Sequence, residues 1–192
     1  MKFITEEFSN TYEIKKSKFI THIIPYDQFK IVMDRLKDEH TKARHFVYAY
    51  RFINEFDQIV ENSSDDGEPK GTSGKPSLSV LSGADIINTA VIIVRYFGGI
   101  RLGTGGLVRA YSDAVNKVIR LAQLNDYEKL IYKSLEIKYT DLSKIEYLFS
   151  KYKINIIDKL FEQSVTLHLE ASNDTFNIVT EILPREYFLK DM

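Results

Sequence analysis

The chain has 192 residues, room for one large domain or two small ones, and its 44% apolar and 28% charged residues describe an ordinary soluble globular protein. It has no cysteine, which excludes disulfides, thiolate catalysis and Cys-ligated zinc or iron–sulfur sites. The formal net charge of -1 means that any nucleic-acid contact must come from a local patch. No basic start followed by an apolar run opens the sequence, and the longest fully apolar run, Ala90 to Val94, is too short for a bilayer. A cytoplasmic protein with no membrane partner is expected.

Along the chain, Lys18 to Ile24 reads as a strand. Asp27 to Glu39 follows, with Phe29, Val32, Met33 and Leu36 on one helical face. His45 to Phe52 alternates and is rich in aromatics, so it is a second strand. No regular signal returns until about Ser77. The intervening polar stretch carries Gly67, Pro69, Gly71, Gly74 and Pro76, and loops of this length are usually functional or mobile. Pro76 to Leu81 opens a short helix. Thr89 to Tyr96 is β-branched and apolar on both parities, the mark of a strand covered on both faces. After a glycine-dense turn, a long helix starting near Gly105 presents Leu107, Ala110, Tyr111, Ala114, Val118 and Leu121 on one face.

The pattern breaks at Leu124 to Lys129. Beyond it come a strand at Leu130 to Tyr139, a helix at Leu142 to Tyr152, and strands at Ile154 to Phe161 and Val165 to Glu170. A helix at Phe176 to Leu183 follows, with Asn173 as its N-cap, and a short strand near Tyr187 to Leu189 ends the chain. This β-α-β-β-α-β order is the ferredoxin-like arrangement. An α+β protein is therefore expected, with one domain at 1–125 and a smaller ferredoxin-like domain at 130–192.

Two constellations carry chemistry. The first is Gly98, Gly99, Gly103, Gly105 and Gly106, five glycines within nine residues, between a buried strand and a helix start. Glycines allow close backbone approach. A helix start offers free N–H groups and a partial positive charge to a phosphate or carboxylate. Thr104 adds a hydroxyl, and Arg95, Arg101 and Arg109 add guanidinium donors. The competing reading is a tight structural turn with solvated arginines. No Gly-Lys-Ser or Gly-Lys-Thr closes the segment as in a Walker A loop, and the dinucleotide spacing G-x-G-x-x-G is absent from it.

The second is Asp65, Asp66, Glu68 and Lys70 with Gly67, Pro69 and Thr72. Three carboxylates in four residues read as a magnesium or calcium site, as a turn whose carboxylates cap backbone N–H groups, or as a loop pinned onto Arg95 or Arg101. Beside these, His45 follows Arg44 at a strand start, with Tyr48 and Tyr50 on the other face. A histidine near carboxylates serves as a general base or, more commonly, as a hydrogen-bonded structural residue. No hydroxyl nucleophile has an evident base beside it, so no catalytic residue, metal or cofactor is assigned.

Ala43 to His45, Ala49–Tyr50, DDGEPKGTSGKP and VRYFGGIRLGTGGLVRAY together resemble the IMPACT family, specifically its bacterial YigZ-type branch, over roughly residues 16–115. The resemblance implies an N-terminal domain like domain 2 of ribosomal protein S5, a fold shared with domain IV of elongation factor G. It implies a ferredoxin-like domain after it. The eukaryotic relatives are translation regulators that use an additional domain absent here, and the family brings no established catalytic residue. Three functions compete on this basis. One is a binding protein of the translation apparatus contacting structured RNA or the ribosome. Another is a nucleotide-binding phosphotransferase with Mg²⁺ on the acidic loop. The third is a module for a protein partner in translation control. The oligomeric state is left open.

Overall fold

Seven of the eight residues of Thr89–Tyr96 are buried, because a strand with apolar side chains on both faces must be covered on both. Around it is built the first of two units, Met1–Tyr127, in the computed structural model, which describes residues 1–192. Its elements are β1 (Lys2–Phe3), β2 (Phe8–Ile14), β3 (Ser17–Pro25), a 3-10 turn (Tyr26–Gln28), α1 (Phe29–Glu39), β4 (His45–Ile53), β5 (Ile59–Ser64), α2 (Gly74–Gly83), β6 (Thr89–Tyr96), α3 (Thr104–Ile119) and β7 (Asn125–Asp126). Five strands make an antiparallel sheet in the order β2-β3-β6-β4-β5, and β1 pairs separately with β7.

Strand alternation sends two side-chain sets to opposite faces of this sheet. One set, including Phe19, Val47, Ala49, Val91 and Ile93, packs with Leu81 of α2 and with Leu107, Ala110, Tyr111 and Val118 of α3. The other, including Ile24, Ala90, Ile92 and Val94, packs with Val32, Met33 and Leu36 of α1. The register sets Arg95 of β6 opposite Phe19 on one side and His45 on the other. That register places the residues discussed below.

The second unit, Glu128–Met192, contains β8 (Leu130–Ile137), a 3-10 turn (Tyr139–Asp141), α4 (Leu142–Lys151), β9 (Asn155–Phe161), β10 (Val165–Ser172), α5 (Asn173–Ile182) and β11 (Lys190–Asp191). Its strands run antiparallel in the order β11-β8-β10-β9. Leu135, Ile137, Val165, Leu167 and Leu169 meet Ile145, Phe149, Phe176 and Val179 in a core of their own. Helix and sheet thus mix in both units.

Several expectations need correction. The polar stretch after Phe52 is not structureless: it contains β5, and α2 starts at Gly74 rather than near Ser77. β1 and β2 add strands before the first one read from the sequence. The long helix starts at Thr104, one residue early, and Leu121 is 59% exposed beyond its end. Ser172, not Asn173, caps α5 by accepting from the Thr175 N–H. The final strand falls at Lys190–Asp191, where it pairs with β8, not at Tyr187 to Leu189.

Candidate anion-binding site

The acidic loop is consumed by internal bonds. The Asp65 carboxylate accepts from the Gly71 N–H at 2.7 Å, the Ser73 N–H at 3.1 Å, the Ser73 hydroxyl at 2.7 Å and the Gly74 N–H at 2.9 Å. It therefore caps α2 from a distance along the chain, and Ser73 provides no cap of its own. Burial pushes the Asp65 carboxyl up, but these four bonds outweigh it and hold its pKa below the ordinary value. Gly74 must be glycine here, since a Cβ would lie 2.8 Å from the Ser64 backbone.

Asp66 serves another element. Its side chain accepts from the Phe46 N–H at 2.6 Å, at the start of β4. Its carbonyl oxygen lies 2.8 Å from His45 Nδ1. A carbonyl only accepts, so the His45 Nδ1 donates in this contact. Glu68 serves a third. Its buried Oε1 receives the Arg95 Nη1 and, at 2.8 Å, the Tyr111 hydroxyl. Burial, then the Glu68 charge, pushes the Tyr111 hydroxyl far above its usual range, so it stays a donor.

The loop is thus pinned to Arg95 and not to Arg101. One carboxylate holds one arginine, because Asp66 (φ 42°) and Gly67 (φ 83°) turn the chain so that the three side chains diverge. Thr72 donates to the Pro69 carbonyl at 2.6 Å, and Lys70 is exposed. Tyr50 is not brought to the loop. It lies on the opposite sheet face, among Tyr26, Phe29, Tyr48 and Phe52.

The glycine turn is the opposite case. Gly103 (φ 73°) is the N-cap of α3 and contributes no side chain, so the N–H groups of the first turn have neither an intrahelical partner nor a side-chain cap. Gly98 packs where a Cβ would meet the Lys16 backbone at 2.0 Å, which ties the turn to the β2–β3 hairpin. Gly99 has positive φ, Gly105 has open space around its Cα, and Gly106 lies against Leu102. Arg101 and Arg109 are exposed.

Beside the α3 start is a cleft of about 360 Å³, bordered by Glu68, Arg95, Phe97, Arg101, Leu102 and Leu107. Arg95 is only 6% exposed, and its Nε has no hydrogen-bond partner. Its guanidinium lies 5.4 Å from the Phe19 ring and 5.8 Å from that of Phe97, which is 56% exposed. Buried N–H groups are almost always satisfied, so an orphaned guanidinium donor at a cleft is a signal. Sequence reasoning missed two members. Tyr111 reads as plain helix core, because its hydroxyl is invisible to apolar periodicity, and Phe97 was passed over between Tyr96 and the glycines.

Residues 15–119 match the family model described as the Impact N-terminal domain. The chain belongs to the IMPACT family. It is 38% identical over 167 residues to an IMPACT family member of Haemophilus influenzae, covering 85% of this chain and 81% of the relative. It is 38% identical over 160 residues to the IMPACT family member YigZ of Escherichia coli, covering 82% and 78%. Protein IMPACT of Xenopus laevis is 31% identical over 99 residues, covering 48% of this chain and 31% of that protein. A solved structure described only as a hypothetical protein matches over 100% of this IMPACT chain and 96% of its own, at 30% identity and a TM-score of 0.67. No helix of this family member is long and apolar enough to cross a membrane.

Proposed function

We propose that this IMPACT family member is a non-catalytic binding protein of translation control, contacting structured RNA, such as that of the ribosome, through the turn from Phe97 to Thr104. The observation that carries the reading is the contrast within one cleft. The first-turn amides of α3 are uncapped and the buried Arg95 Nε is unpartnered, with Arg101 beside them. A helix start of this kind favours a phosphate oxygen, and guanidinium groups add charge-assisted bonds. Gly98, Gly99, Gly103, Gly105 and Gly106 shape the approach, and Thr104 and Arg109 flank it.

The fold expectations belong to the same proposal. The order β8-α4-β9-β10-α5-β11 with the sheet order β11-β8-β10-β9 supports a ferredoxin-like second unit. The sheet of the first unit, with α2 and α3 on one face, is offered as the S5 domain 2-like part. The phosphotransferase alternative draws less support, because Asp65, Asp66 and Glu68 serve three separate elements instead of converging.

Sedimentation with ribosomes tests the reading. The protein is expected in the ribosome pellet at low salt, with less at moderate salt as phosphate contacts are screened. Absence from the pellet at every salt concentration overturns it.

A further inference from the structure

A second cleft, also of about 360 Å³, lies on the other side of Arg95 and Phe97. It is bordered by those two residues with Lys42, Arg44, His45 and Tyr96. Lys42 and Arg44 are exposed, come from the connection between α1 and β4, and make no ion pair, so their charges are available to an anion. The carboxylate near this cleft, Asp66, is occupied by the Phe46 N–H. The two clefts share one wall, and that wall is an exposed aromatic ring backed by a guanidinium.

We infer that the two clefts together hold a single-stranded stretch of RNA, one phosphate at the α3 start, another at Lys42–Arg44, and a base stacked on Phe97 between them. This rests on the RNA reading above and narrows it. The physical reason is the alternation of elements: cation, exposed aromatic, cation and helix start in succession match the backbone-base-backbone order of an unpaired strand. A duplex keeps its bases stacked and hidden, so an exposed ring between two phosphate sites gains nothing from it. Arg95 borders both clefts, with its Nη1 fixed by Glu68 and its buried Nε without a partner.

Fluorescence anisotropy with a labelled unstructured RNA oligonucleotide, a hairpin duplex of matched length and unlabelled inorganic polyphosphate as competitor tests this. The full chain is expected to bind the single strand more tightly than the duplex. Phe97→Ala is expected to weaken single-strand binding about 5- to 150-fold, the range of one lost base stack, and to leave polyphosphate competition unchanged. Lys42→Ala/Arg44→Ala is expected to lower the slope of log affinity against log salt by about 0.7, the value for one phosphate on a single strand. Lys144→Ala on α4 serves as the unaffected reference. All altered residues are exposed, so circular dichroism is expected to show an unchanged fold.

Duplex binding as tight as single-strand binding overturns the inference. So does wild-type behaviour of both site variants, and if Arg101→Ala alone then weakens binding, the α3 reading stands without the second cleft. If no RNA is bound at any salt, the RNA reading itself falls and takes the inference with it.

Discussion

Arg51 and Arg95 occupy opposite ends of one sheet face in this IMPACT protein. On the β4–β6 ladder Arg51 lies opposite Thr89, and Arg95 lies opposite His45. Both are buried at 6% exposure. Arg51 has partners for both atoms at issue: its Nε donates to Glu61 at 2.6 Å and its Nη1 to the Ile86 carbonyl at 2.9 Å. Arg95 is half used, with Nη1 on Glu68 and Nε on nothing. The first closes the sheet end near α2. The second borders two clefts, one of them beside the uncapped start of α3. The lesson is that equal burial does not mean equal satisfaction: two guanidinium groups at 6% exposure differ in whether Nε has a partner.

The largest test of this contrast is a pair of substitutions. Arg95→Met strips Glu68 of its charged partner in a buried setting and is expected to cost about 3–5 kcal/mol in urea unfolding. Arg51→Met is expected to cost only about 1–2 kcal/mol, since Glu61 is 39% exposed and water replaces its partner. In the double variant Arg95→Met/Glu68→Met only part of the loss is expected to return, because an apolar pair replaces an ion pair well but the buried Tyr111 hydroxyl loses its acceptor. Equal losses for the two arginines would erase the distinction.

A smaller effect separates the glycines. Gly98→Ala forces a Cβ against the Lys16 backbone and is expected to cost about 3 kcal/mol. Gly105→Ala has open space and is expected to be neutral or to stabilise α3 by up to about 1 kcal/mol, while reducing RNA binding at the helix start. Melting curves and anisotropy on the same samples read both. A loss of stability in Gly105→Ala would move that glycine to the structural side.

The smallest is the cap. Asp65→Ala is expected to cost about 1 kcal/mol, the typical value of a helix cap. The Asp65 pKa is lowered in the folded state, so its stabilisation is complete above the ordinary carboxylate value of 3.8 and is lost as pH falls through the folded value. In Asp65→Asn the stability loss below about pH 4 is expected to flatten. Unchanged acid sensitivity would assign the loop to another anchor.

The elements legible in the sequence are those whose pattern reports burial. β6 and α3 were read from apolar spacing because both sides of one and one face of the other are covered. β5 was invisible for the converse reason: as an edge strand it buries none of its six residues, three being exposed and three half-buried without alternation, and only its ladder to β4 makes it a strand. The early start of α2 was hidden because Gly74 and Pro76 read as a loop and the cap comes from Asp65, outside the local window.

The sequence by itself determined where the glycine-rich turn lies. A buried strand must end, and five glycines before an amphipathic helix leave an accessible turn at one place only. What the tertiary structure decided is which neighbour each acidic residue meets. Asp65, Asp66 and Glu68 look interchangeable in the chain, yet one caps α2, one holds β4 and one holds Arg95. Positive φ at Asp66 and Gly67 and the register of His45 against Arg95 make that division, and both are set by how the sheet pairs across distance in the chain. The orphaned Nε of Arg95 follows from the same pairing, which no local pattern encodes.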